Sequence, residues 1–147
     1  MPTLTLDEAI FKRATTGVGS TALTTLISTR IYPGIVPQAA SLPAVVFFKV
    51  GDPPNHVMGS DATLYCPTYQ FSVFSTGKSQ ARTVAKAVRN RFRDYSGVLG
   101  GVGGVPVQRC FFEGEMDLNE GGDIMTVNPS PITHIVQSYV IWHTSST

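Results

Sequence analysis

The chain has 147 residues, 42% of them hydrophobic and only 14% charged, a composition that excludes a disordered or strongly charged polypeptide. Eleven Lys and Arg stand against ten Asp and Glu, and the resulting net charge of +1 gives a single copy no electrostatic basis for sequence-specific nucleic-acid binding. The longest apolar run, Pro43 to Phe48, falls far short of the ~20 residues of a bilayer span, and no basic segment leads into an apolar one at the N-terminus. A soluble, unsecreted protein without membrane contact is expected.

The length suits one domain over residues 1–147. Its two cysteines, Cys66 and Cys110, are too few for a disulfide framework and lack zinc-ligand spacing, so reduced core thiols are expected.

Thr5-Leu6-Asp7-Glu8 has the form of a capping box, and Leu6, Ile10 and Ala14 recur on one stripe, which predicts a short helix ended by Gly17 and Gly19. A second short helix, capped by Ser20, carries Leu23, Leu26 and Ile27 and ends near Thr29. Two prolines and a glycine among Ile31-Tyr32-Pro33-Gly34-Ile35-Val36-Pro37 predict an irregular extended path. Ala44 to Val50 is rich in β-branched and aromatic residues and reads as a strand. The chain returns in a second strand from Thr63 to Ser75, in which Tyr69, Phe71 and Val73 face a core and Gln70 and Ser72 face water.

Lys78 to Tyr95 is the clearest helix, with Ala81, Val84, Ala85, Val88, Phe92 and Tyr95 on a buried stripe and a basic opposite face. The glycines from Gly97 to Gly104 read as a flexible tether. Val105 to Glu113 and Ile132 to His143 read as strands, joined through an acidic loop from Glu113 to Asp123. The order helix, helix, strand, strand, helix, strand, strand predicts an α+β domain: an antiparallel four-stranded sheet with helices packed on one face. The last strand is apolar on both sides, with Ile135, Tyr139 and Ile141 on one and Val136, Val140 and Trp142 on the other. Since the helices cover one face, a neighbouring subunit is expected on the second.

Patterns of catalysis are lacking. Thr76-Gly77-Lys78-Ser79 sits at a strand-to-helix junction like the end of a phosphate loop, but position 72 is Ser where the full pattern needs Gly. A turn and helix start fits better, and a small nucleotide-binding domain is the alternative from another functional class. No His or Cys spacing indicates a metal, and no serine matches a nucleophile elbow. No cofactor is expected.

Charge is segregated. Lys78, Arg82, Lys86, Arg89, Arg91 and Arg93 fall in one helix, and Glu113, Glu115, Asp117, Glu120 and Asp123 in one segment. They are either solvated faces or complementary surfaces meeting between subunits, with Arg82, Lys86, Arg89 and Arg93 against the five acidic residues. Head-to-tail contacts of the second kind generate rings where the rotation closes.

Arg30-Ile31-Tyr32-Pro33-Gly34, Val36-Pro37-Gln38 and Leu42-Pro43-Ala44-Val45-Val46, followed in order by Tyr69 to Phe74, the helix with Ala81, Val84, Ala85 and Val88, and Ser138 to His143, resemble the tail-completion, or tail-terminator, proteins of long-tailed bacteriophages. The sequence departs from their pattern at Gly97 to Gly104 and at Asn128-Pro129-Ser130-Pro131. The resemblance implies a non-enzymatic virion protein, present in the host cytoplasm during assembly. It implies a homo-oligomer, a hexameric ring at the head-proximal end of the tail, which stops tube polymerisation and docks to the head connector or head-closure protein. Tail tube protein and connector are the implied partners. A different neck component, a head-closure or adaptor subunit, is the nearest alternative.

Overall fold

The computed structural model describes residues 4–17, 19–35, 41–53, 56–57, 60–61, 64–120 and 132–144. Three helices, α1 (Leu6–Thr15), α2 (Thr21–Ile27) and α3 (Lys78–Phe92), are interleaved with strands β1 (Ile31–Pro33), β2 (Ala44–Gly51), β3 (His56–Val57), β4 (Ser60–Asp61), β5 (Thr68–Ser75), β6 (Gly97–Leu99), β7 (Val105–Glu120) and β8 (Ile132–His143). The main sheet has the order β1-β2-β5-β8-β7-β6, and β3 and β4 form a separate ribbon.

Local chemistry explains most boundaries. Thr5 accepts the Glu8 N–H while the Glu8 carboxylate accepts the Thr5 N–H, both at 3.2 Å, closing the expected capping box. Ser20 does not cap α2 through its side chain; its Oγ donates to the Gly17 carbonyl at 2.9 Å. α3 ends at Phe92, short of Tyr95, because Arg93 is extended and Asp94 takes a positive φ of 59°. The expected early start of the second strand survives only as a bridge between Tyr65 and His143, with β5 beginning at Thr68.

The sheet has six strands, not four, and is mixed instead of purely antiparallel. Ile31–Pro33, expected as an irregular path, pairs in parallel with Val45–Phe47; three residues suffice because Ile31 is buried and Pro33 and Gly34 end the pairing. Gly97–Leu99, expected as part of a tether, pairs with Val105–Val107, so the glycines that follow make the turn of a hairpin. The acidic loop is strand as far as Glu120: Met116 and Leu118 alternate with Glu115 and Asp117 across from β8, a period that charge content concealed. Asp123 and Asn128 to Pro131 lie outside the described residues, as do Val36 to Gln38.

All three helices pack on one sheet face. Leu6, Ile10, Leu23, Ile27, Val84, Val88 and Phe92 meet Val45, Phe47, Phe71, Val73, Ile135, Tyr139 and Ile141 in one core. Cys110 belongs to that core, and burial, reinforced by the nearby Asp94 carboxylate, pushes its thiol up to about 12. Because the folded value exceeds the ordinary one, this contribution to stability is intact below about pH 9 and is lost as pH rises toward 12. The unfolding free energy of the wild type from urea titration is expected to fall between pH 8.5 and 10.5 more than that of Cys110→Ala, by about 1 kcal/mol per pH unit on average for this one group. Equal slopes in the two proteins contradict the assignment.

Candidate functional site

Arg82, Lys86, Arg89 and Arg93 recur at intervals of four, three and four residues, a spacing that aligns them along one side of α3. β7 runs beside them, and a register irregularity between Phe112 and Gly114 sets Glu115 and Asp117 on the helix side. The two charge groups meet within a single chain: Arg82 Nη2 lies 3.4 Å from Asp117 Oδ2, and Arg89 Nη1 lies 3.3 Å from Glu115 Oε1. With Lys86 they line a cleft of about 440 Å³. Arg93 reaches toward Asp94 and, with Arg89, sits near the Phe112 ring. Glu113 is exposed, whereas the side chain of Glu120 lies outside the described residues. An exposed pair such as Arg82–Asp117 contributes about 0–1 kcal/mol.

Glu115 differs, because it also accepts the Gln137 amide at 2.8 Å. Gln137 is fully buried, donates to the Ala85 carbonyl of α3 at 2.8 Å, and accepts the Tyr139 hydroxyl at 3.0 Å. This chain of bonds locks helix to sheet and extends inward from the charged strip. Its trace in the sequence is a single amide at an inward position of the Ile135-x-Gln137-x-Tyr139-x-Ile141 alternation.

Arg91 is not part of the basic face. It is buried, with Nε donating to the Arg13 carbonyl at 2.7 Å and Nη2 to the Thr16 carbonyl at 2.8 Å, both at the end of α1. Arg13 returns the contact through two bonds to the Arg91 carbonyl, at 2.9 and 3.2 Å, and lies 3.8 Å above the Tyr95 ring. Each guanidinium thus serves the carbonyl end of the other's helix, where the helix dipole favours a cation. Burial lowers the pKa of both groups. The position was legible, since Val84, Val88, Arg91 and Phe92 share a helical stripe.

At the junction resembling a phosphate loop, Gly77 opens α3 without a side-chain cap bond. Ser75 Oγ donates to Gln80 Oε1 at 2.7 Å and accepts the Gly77 N–H at 3.3 Å. This hydroxyl therefore ties the strand end to the helix start, a structural use of the turn.

Among the described residues no helix covers the outer face of the sheet. From β2 through β5 to β8 its outward positions hold apolar Val46, Phe48, Phe74, Val136, Val140 and Trp142 and uncharged polar Thr68, Gln70, Ser72, His134 and Ser138, with no Asp, Glu, Lys or Arg, and Val46 and Val136 are already buried. β7 extends the apolar surface with Phe111, Met116 and Leu118, which are 42%, 58% and 38% exposed. Toward β1 the surface dips into an apolar concavity of about 500 Å³, lined by Leu42, Phe48, Phe74 and their neighbours, with His134 stacked on Phe74 at 4.3 Å. The apolar side chains exposed on this face, Phe48, Phe111, Met116 and Leu118, are of the kind that interaction surfaces use.

Residues 9–124 match the sequence profile of the tail completion protein gp17 family. The chain belongs to that family. Its fold is similar to a chain in the virion of a native gene transfer agent particle, with a TM-score of 0.71 at 14% identity over 95% of each chain. A comparison with curated protein sequences finds no match. As a tail completion protein the chain is a structural component of a virion tail, and neither its charged strip nor its apolar face needs a reading as a catalytic centre.

Proposed function

We propose that this tail completion protein assembles as a closed ring, of six copies as the family resemblance implies, at the head-proximal end of the tail tube. There it ends tube polymerisation and presents the docking surface for the head connector or head-closure protein. The observation that carries this reading is the asymmetry of the sheet, with one face sealed by three helices and the other holding no Asp, Glu, Lys or Arg across three strands, exposing Phe48, Phe111, Met116 and Leu118 and uncovered among the described residues. The exposed apolar side chains on that face gain by being covered by a second layer. The exposed parts of the charged strip, Lys86, Arg93 and Glu113, with Arg82, Arg89, Glu115 and Asp117 beside them, orient neighbouring copies and set register more than affinity.

The reading is tested by adding purified protein to polymerising tail tube subunits and measuring tube lengths by negative-stain microscopy. Shortened tubes, each with added density at one end, are expected. Unchanged lengths and bare ends contradict termination, and binding to connectors without any binding to tubes assigns the chain to head closure or adaptor duty instead.

A further inference from the structure

The main sheet ends in β1 on one side and β6 on the other. Isolated sheets protect their edges with charged side chains, and the open edge of β7 beyond its pairing with β6 does so with Glu113, Glu115 and Asp117. The two terminal edges lack that protection, since no Asp, Glu, Lys or Arg occurs in residues 31–48 or 96–108.

The two ends have opposite shapes. The outer face toward the β1–β2 end holds the concavity of about 500 Å³, which runs from Ile35 and Leu42 across Val46, Phe48 and Phe74 to His134 of β8 and is also lined by Gln70 and Ser72. The β6 end projects, with Val98 52% exposed and Val102, in the turn to β7, 99% exposed. That turn is firmly built. The Gly104 N–H donates to the Gly101 carbonyl at 2.9 Å and the Leu4 N–H to the Gly103 carbonyl at 3.0 Å. A Cβ on Gly100 would press on the Ala9 backbone at 3.0 Å, and one on Gly104 would overlap the Leu99 carbonyl oxygen. The fold thus holds in place a slim tip whose one side chain beyond hydrogen is an apolar residue in full contact with water. The concavity is of ligand-pocket size, too large for one valine and open to a tip with bare glycines on either side of it.

We propose that the Val102 turn of one copy, with Val98 beneath it, seats in the concavity at the β1–β2 end of the next copy. Knob and socket lie at opposite ends of one sheet, so the contact is head to tail and its repetition closes a ring or extends a chain. The inference rests on the ring reading above and supplies its contact.

The experiment uses the full chain with Cys66→Ser and the pair Val102→Cys and Ile35→Cys. Oxidation of the assembled protein is expected to give a ladder of covalent oligomers on a denaturing gel, and mixing the two variants that each carry one introduced cysteine beside the buried Cys110 to give a covalent dimer. Val102→Asp, at a site exposed in the single chain, is expected to leave the melting temperature unchanged and raise the dissociation constant for assembly at least about tenfold. Rings that form normally with Val102→Asp and yield no ladder overturn this contact while leaving the ring reading intact. A wild-type chain that forms no ring, alone or on tails, overturns both.

Discussion

Phe71→Ala is expected to destabilise the fold by about 4 kcal/mol, the middle of the range for an aromatic residue removed from a packed core. Phe71 has no exposed surface, and its ring stands 5.7 Å from Phe47, 5.0 Å from Phe92 and 5.2 Å from Tyr139, so it joins β2, α3 and β8 at one point. Those neighbours belong to separate elements held by their own hydrogen-bond ladders, which limits their collapse into the cavity and keeps the cost high. At this chain length the melting temperature should fall by about 10 °C. Thermal and urea unfolding followed by circular dichroism measure it, and a loss under about 1 kcal/mol contradicts the packing described.

Arg91→Met is expected to cost about 3 kcal/mol, although it replaces a charge with an apolar side chain of comparable length. The substitution leaves the part-buried Arg13 and Thr16 carbonyls without the donors that reach them at 2.7 and 2.8 Å, each at the lower end of the penalty of about 1–3 kcal/mol for an acceptor stripped of its partner, and it removes both of these bonds at once. Arg13 then remains beside a helix end that no longer answers it. Arg82→Met is the control: its partner Asp117 is 46% exposed, so a change within about 0.5 kcal/mol is expected. The difference between the two variants in urea midpoint is the readout, and equal losses contradict the cross-capping of α1 and α3.

Features set by nearest neighbours were readable from the sequence. The Thr5–Glu8 box, the apolar stripe of α3, the extent of β8 and its two apolar sides follow from spacing alone, and the family resemblance rested on those same structural residues. Features set by distant pairing were not. β1 is three residues long and exists because β2 lies alongside it, so Pro33 and Gly34 dominated its local signal. β6 exists as the partner of Val105–Val107, and five glycines nearby masked it. In β7 the acidic residues suggested a solvated loop, although Met116 and Leu118 kept strict alternation with Glu115 and Asp117. Charge segregation alone fits solvated faces or surfaces meeting between subunits, and it does not show that Arg82 and Arg89 find acidic partners within their own chain. Arg91 is one of the six basic residues of that helical segment, but its position puts it on the buried stripe of α3.

The second apolar side of β8 carries the functional account, and hydroxyl-radical footprinting compares it directly in the free chain and in assembled tails. Oxidation of Phe48, Phe111, Met116 and Trp142, all on the outer face, is expected to fall several-fold on assembly, while exposed residues of the helical layer such as Lys12 and Lys78 keep their free-state rates. Unchanged oxidation of the outer-face residues in a chain demonstrably bound in tails would show that this face stays in water, and the account of how the protein completes a tail would be wrong.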